Sequence, residues 1–213
     1  MPEKRSNEAV KLEICKILNK IGALKFGAFK LTSGKISPYY VDLRIVPSFP
    51  DVFQKICNFY VDFIEDKIGV ENFERIAGIP VAGIPFTAIV AKDLKKPFIY
   101  IRKGVPLHGR QRRIEGIIAP GNRVLIVDDL ATTGLSLTKA AKAITAEGGV
   151  VTDSVVLIDR QEGGRMKLQK GGVKLHALLN MSEIANSLYE TGAIDKEQLK
   201  TILKQIKKDK ELT

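Results

Sequence analysis

The segment Val124-Leu125-Ile126-Val127-Asp128-Asp129-Leu130-Ala131-Thr132-Thr133-Gly134-Leu135-Ser136 constrains the fold more than any other stretch of this 213-residue chain. Val124 to Val127 are uniformly apolar, the pattern of a parallel strand buried on both faces. Two adjacent carboxylates, Asp128 and Asp129, end the run. A small hydroxyl-rich turn with one glycine then leads into residues of helical periodicity. Strand, short turn and helix in that order form part of a βαβ unit, and open α/β sheets place ligands at the carboxyl ends of their strands.

The rest of the chain repeats that rhythm. Apolar strands are expected at Arg75–Ile79, Phe98–Ile101, Arg123–Val127, Val150–Ile158 and Val173–Leu178, with helices at Gly83–Leu94 and Leu135–Glu147 between them. The expected fold class is α/β, a mostly parallel central sheet flanked by helices. Before it, Val10 to Ile21 recur at helical spacing with Gly22 as a stop. Phe26 to Arg44 read as a hairpin around Ser33-Gly34, and Val52 to Ile64 as a second helix. Ser182–Glu190 and Asp195–Lys208 read as closing helices, with Lys204 to Lys210 a solvated helix face and frayed tail. The length suits one domain: a small N-terminal hood over about 1–45, a core over about 50–182, and C-terminal helices over 182–208.

Charge sets the partner class. Lys and Arg number 34 against 24 Asp and Glu, a net +10, which predicts attraction to nucleic acid, an anionic surface or a phosphorylated small molecule. Arg102, Lys103, Arg110, Arg112 and Arg113, with His108, crowd Arg102–Ile117, where the only acid is Glu115. A segment so long and polar between two strands reads as a lid. Cys15 and Cys57 sit in apolar helical patterns and read as buried thiols. His108 and His176 lack partners at zinc spacing. Met1 to Glu8 is charged, unlike a leader, and no apolar run reaches about 18 residues, so a cytoplasmic chain with no membrane partner is expected.

At the acidic strand end, helix N–H groups and the hydroxyls of Thr132, Thr133 and Ser136 suit a phosphate. Two carboxylates repel a phosphate, so they address sugar hydroxyls or a bridging Mg²⁺. A ribose 5-phosphate has that form. A Walker B reading lacks its G-x-x-x-x-G-K-[ST], because Gly104 to Gly109 is followed by Arg110-Gln111. A receiver domain needs its acidic pair near the N-terminus. A purely structural strand-turn-helix remains open on these residues alone.

Val124 to Ser136 resembles the phosphoribosyl pyrophosphate (PRPP) signature of type I phosphoribosyltransferases. Phe29-Lys30-Leu31-Thr32-Ser33-Gly34-Lys35-Ile36-Ser37-Pro38-Tyr39-Tyr40 resembles the hood motif of the orotate phosphoribosyltransferase family. Arg102-Lys103 with His108-Gly109 resembles its mobile loop, and Leu157 to Gly164 its strand ending in an Asp-Arg pair. The four matches occur in the family's order. The resemblance implies transfer of the phosphoribosyl group of PRPP to orotate, with Mg²⁺ carried mainly by PRPP rather than by direct protein ligands. It implies Asp128 and Asp129 as the acidic pair at the ribose hydroxyls and Leu130, Ala131, Thr132, Thr133, Gly134, Leu135 and Ser136 at the 5′-phosphate. It further implies Tyr40, Thr132 and Arg160 at the base, and Arg102, Lys103 and His108 around pyrophosphate. The family's lid completes a neighbouring subunit's site, which implies a homodimer. A nucleic-acid partner is not expected.

Three cations of the family pattern are replaced, by Thr32, Ala82 and Pro106. Lys30, Lys35, Arg110, Arg112 and Arg113 are the candidates to compensate. Two alternatives accompany the orotate reading: transfer to a purine or other base, and a PRPP-sensing regulator with the same fold.

Overall fold

Apolar runs that hide both faces must lie inside a sheet, and they do. In the computed structural model, which describes residues 7–30, 34, 36–102 and 113–211, a six-stranded sheet forms the centre. Its strands are β3 (Arg75–Gly78), β4 (Phe98–Ile101), β5 (Ile114–Glu115), β6 (Val124–Ala131), β7 (Asp153–Asp159) and β8 (Lys174–Asn180), in the order β5-β4-β3-β6-β7-β8. All neighbours are parallel except the short edge strand β5, antiparallel to β4. The mostly parallel sheet is as expected. The end of the expected lid is strand rather than loop, because Ile114 is buried against the sheet edge.

Side-chain alternation on β6 divides the core. Leu125 and Val127 join the larger cluster, with α1 (Asn7–Lys20), α2 (Pro50–Lys67), α3 (Gly83–Asp93) and α6 (Met181–Glu190). Val124 and Ile126 face the smaller one, with α4 (Leu135–Ala146) and α5 (Gly164–Lys170). The helix α5 is absent from the sequence expectation. It is one short segment opening on a glycine, too brief to show a periodicity.

Ahead of the sheet, β1 (Leu24–Lys30) and β2 (Ile36–Val41) form a separate antiparallel hairpin. The expected hairpin ran to Arg44; the strand instead ends at Val41, and Leu43–Ser48 is a 3₁₀ turn entered through Asp42, whose side chain accepts from the Arg44 N–H. Helix α7 (Lys196–Glu211) packs on α6 and β2. The expected solvated tail is corrected here: Ile202 and Ile206 are buried and Asp209 is 6% exposed, because one stripe of the Lys-rich helix faces the core.

The strand order fixes where a ligand can enter. From β3 the chain steps outward to β4 and then returns to the other side of β3 as β6. Connections therefore leave β3 and β6 in opposite directions, opening a crevice at their carboxyl ends.

Candidate active site

Asp128 and Asp129 stand in that crevice. Asp128 is 5% exposed, and its Oδ1 accepts the Asp129 N–H at 3.0 Å. Burial pushes the Asp128 carboxyl well above the ordinary carboxylate range, and the neighbouring Asp129 adds to the rise. Burial raises Asp129 as well. Such a pair keeps its charge readily only when a ligand donates to it.

The backbone carrying the pair is gripped from two helices. Tyr60 of α2 donates to the Asp128 carbonyl at 2.7 Å. Thr87 Oγ1 of α3 lies 3.0 Å from the Val127 carbonyl and 2.7 Å from that of Gly83. Gly83 opens α3 just after the turn that follows β3, and a Cβ there would meet Asp128 Oδ1 at 2.2 Å. Only glycine lets this turn lie against the carboxylate.

Beyond β6, the turn Thr132-Thr133-Gly134 opens α4. Gly134 has φ 71° and supplies no side-chain cap, and Thr133, Leu135 and Ser136 are exposed, so the first-turn N–H groups are left without a cap. The turn rests on Gly164, whose N–H donates to the Thr132 carbonyl at 3.1 Å. A Cβ on Gly164 would stand 2.6 Å from that carbonyl, and one on Gly134 would stand 2.9 Å from the Gly164 carbonyl. Backbone thus meets backbone with no side chain between.

Arg160 follows β7 and is tied to the same turn, its backbone N–H donating to the Ala131 carbonyl at 2.9 Å. The residue is 6% exposed. Its Nη2 lies 2.8 Å from Glu162 Oε1, and its guanidinium carbon lies 4.8 Å from the centre of the Tyr39 ring. The hood therefore reaches Arg160 through Tyr39. The adjacent Tyr40 is half-buried, 5.8 Å from the Phe29 ring, and its hydroxyl accepts from Arg44 Nη2 at 2.8 Å. Arg44 also forks onto Asp42, at 2.6 and 2.9 Å.

Asp128, Asp129, Leu130 to Ser136 and Arg160 are thus brought to one edge of the sheet. Arg102 stands at the foot of the lid segment, its Nη1 2.6 Å from Glu115 Oε1. Thr32, Lys103, Pro106 and His108 lie outside the described residues, as do Lys35, Arg110 and Arg112. Ala82 directly precedes the glycine that touches Asp128. Sequence reasoning missed Tyr60 and Thr87, which look like ordinary core residues, and the supporting role of Gly164, for which the Gly163-Gly164 pair was a visible signal.

No group of three or more His, Cys, Asp or Glu among the described residues could hold a metal ion. No described helix is long and apolar enough to cross a membrane.

An acidic pair beside an uncapped helix start, at the switch point of a parallel sheet, is the arrangement of a phosphoribosyltransferase. The phosphoribosyl transferase domain family matches residues 52–176. The chain is 41% identical over 205 residues to the orotate phosphoribosyltransferase of Staphylothermus marinus, covering 96% of this chain and 98% of the relative. The crystal structure of orotate phosphoribosyltransferase from Aeropyrum pernix superposes with a TM-score of 0.75 at 30% identity, over 85% of this chain and 99% of that one. Leishmania donovani UMP synthase superposes with a TM-score of 0.82 at 29% identity; the match covers 94% of this chain and 43% of that longer one. The chain belongs to the orotate phosphoribosyltransferase family.

Proposed function

We propose that the protein transfers the 5-phosphoribosyl group of PRPP to orotate, giving orotidine 5′-phosphate and pyrophosphate in pyrimidine biosynthesis. The ring nitrogen of orotate forms a bond to C1′ and releases its proton to solvent, as the bond from C1′ to the pyrophosphate oxygen breaks. The charge that develops is positive on the ribose and negative on the leaving group.

Each part of the site has one task in this reading. Leu130 to Ser136 hold the 5′-phosphate by backbone N–H groups and hydroxyls. Asp128 and Asp129 accept from the ribose hydroxyls, which fixes the sugar and opposes the positive charge on it. Arg160 receives the carboxylate of the base, with Thr132 and Tyr40 beside it. Arg102, Lys103 and His108 act on the pyrophosphate, in a lid shared between two subunits of a homodimer. The two-carboxylate donor set suits Mg²⁺ that rides on substrate oxygens, not an all-protein cage. When bound, that ion neutralises part of the pyrophosphate charge.

The observation that carries the choice of base is Arg160, a buried arginine whose backbone N–H is tethered to the Ala131 carbonyl at the start of the turn. A purine offers it no carboxylate. Incubation with PRPP and Mg²⁺ and each of orotate, uracil, adenine, guanine and hypoxanthine tests the reading. Turnover of orotate alone is expected, and turnover of a purine in its place would overturn it.

A further inference from the structure

Gln161 holds a left-handed backbone, φ 62°, which a residue with a Cβ adopts only at a cost. Such a conformation persists where several contacts impose it, and it gathers near functional sites. Glycine fits the same region freely, as Gly163 does two residues on at φ 87°. What offsets the cost at Gln161 is a contact made by its side chain.

That contact reaches α6. The Gln161 side-chain oxygen accepts the Ser182 N–H at 3.1 Å. Ser182 lies in the first turn of α6, where backbone donors have no partner within the helix. Glu183 takes the neighbouring Asn180 N–H at 2.7 Å, and Gln161 serves Ser182 from across 21 residues. The main chain of Gln161 is fixed as well. Its N–H donates to Asp159 Oδ1 at 2.8 Å, closing a turn around Arg160. Asp159 is 2% exposed, and its Oδ2 lies 3.5 Å from Arg165 Nη2. Arg165 Nη1 in turn donates to the Leu175 carbonyl at 2.7 Å.

These bonds follow one row across the sheet. Ala131, Asp159 and Asn180 are register partners on β6, β7 and β8. Ala131 leads into the turn proposed for the 5′-phosphate, and Asn180 leads into α6. The loop after Asp159 meets that turn twice, through the Arg160 N–H at the Ala131 carbonyl and the Gly164 N–H at the Thr132 carbonyl. The Gln161 amide ties the same loop to α6 on its other side.

We propose that Gln161 is a positioning residue for the phosphoribosyl site: its side-chain oxygen anchors the loop after β7 to α6, and that loop holds the Ala131–Gly134 turn where the 5′-phosphate binds. The proposal rests on the phosphoribosyl reading of the turn. It requires no contact between Gln161 and substrate.

The test compares Gln161→Met, which keeps the length and the backbone cost but lacks the oxygen, with Gln161→Glu, which keeps an acceptor. Kd for PRPP with Mg²⁺ is measured by calorimetry on the full chain, beside KM for PRPP, kcat with orotate, and Tm. Gln161→Met is expected to raise Kd and KM about fivefold or more, the scale of one hydrogen bond. Its kcat should change less than about threefold, because the 5′-phosphate is held alike before and during transfer. Gln161→Glu should stay within about twofold of the intact protein in Kd and KM. Gln161→Gly relieves the backbone as it removes the side chain, so its Tm should hold while its Kd rises as in Gln161→Met. Lower Tm with unchanged Kd and KM in Gln161→Met would make the residue structural only and overturn the proposal, as would a Gln161→Glu variant as weak as Gln161→Met. An intact chain that does not bind PRPP would sink the reading of the turn, and the proposal with it. If Gln161→Met does not fold, Gln161→Gly takes its place in the comparison.

Discussion

The Tyr60 hydroxyl donates to the main-chain carbonyl of Asp128 at 2.7 Å, across 68 residues of sequence. The bond is buried, and it fixes the peptide that joins the two acids. Tyr60→Phe leaves that carbonyl unpaired in the core while keeping the ring. A loss of about 1–3 kcal/mol in unfolding free energy is expected from denaturant titration. A rise in KM for PRPP should accompany it, because the carboxylates lose their fixed base. Unchanged stability would show that the bond has no net worth.

Asp128 is expected to destabilise the ligand-free protein near neutral pH. Its carboxyl is raised above the ordinary 3.8 chiefly by burial, so the folded chain binds the proton more tightly than the unfolded one. The stability belonging to the protonated form is complete below 3.8 and is lost as pH rises through the higher folded value. Asp128→Asn removes that loss, and the amide oxygen can still accept the Asp129 N–H. Thermal melts should show a higher Tm for the variant at pH 7, by about 2–4 °C for each kcal/mol relieved, shrinking toward pH 4. Turnover should be abolished. A lower Tm at pH 7 would contradict the sign.

Gly164→Ala tests the floor of the turn proposed to hold the 5′-phosphate. The added methyl would lie 2.6 Å from the Thr132 carbonyl, and backbone on both sides gives it nowhere to go. A fall of about 10-fold or more in kcat/KM for PRPP is expected, equivalent to roughly 1.4 kcal/mol of transition-state stabilisation. Retention of wild-type kinetics would mean that the turn shifts freely.

The lid proposed to be shared between subunits predicts that two inactive chains rescue one another. Chains carrying Asp128→Asn with Asp129→Asn lack the ribose site, and chains carrying Lys103→Ala lack a lid cation. Mixed and reassorted, half the dimers are hybrids with one intact site, so activity should return to about a quarter of wild type. No recovery, with hybrids verified by mass, would place each lid over its own subunit's site.

The parts legible in the sequence are those whose chemistry is local. Asp128, Asp129 and the turn to Ser136 declare themselves because strand, charge and hydroxyls are contiguous. The hood was harder. Tyr39 and Tyr40 are neighbours on β2, where successive side chains face opposite ways. Nothing in the local sequence says which face the core covers. The structure buries Ser37, Tyr39 and Val41 and turns Tyr40 toward Arg44. Tyr60 and Thr87 lie on apolar helix faces, and their hydroxyls gain meaning only when β6 arrives beside them. Lys204 to Lys210 looked solvated because lysines outnumber the residues that pack, yet Ile202, Ile206 and Asp209 form one buried stripe.

Arg160 is pinned to Ala131, and Gly164, only a few residues later, is pinned to Thr132. In the proposed reading, one short covalent span therefore addresses both ends of the product, like two marks on a single ruler. The reach from phosphate to base cannot be retuned by moving either mark alone. A descendant that accepts a different base has to change what surrounds Arg160, on the hood strand, and leave the ruler as it is.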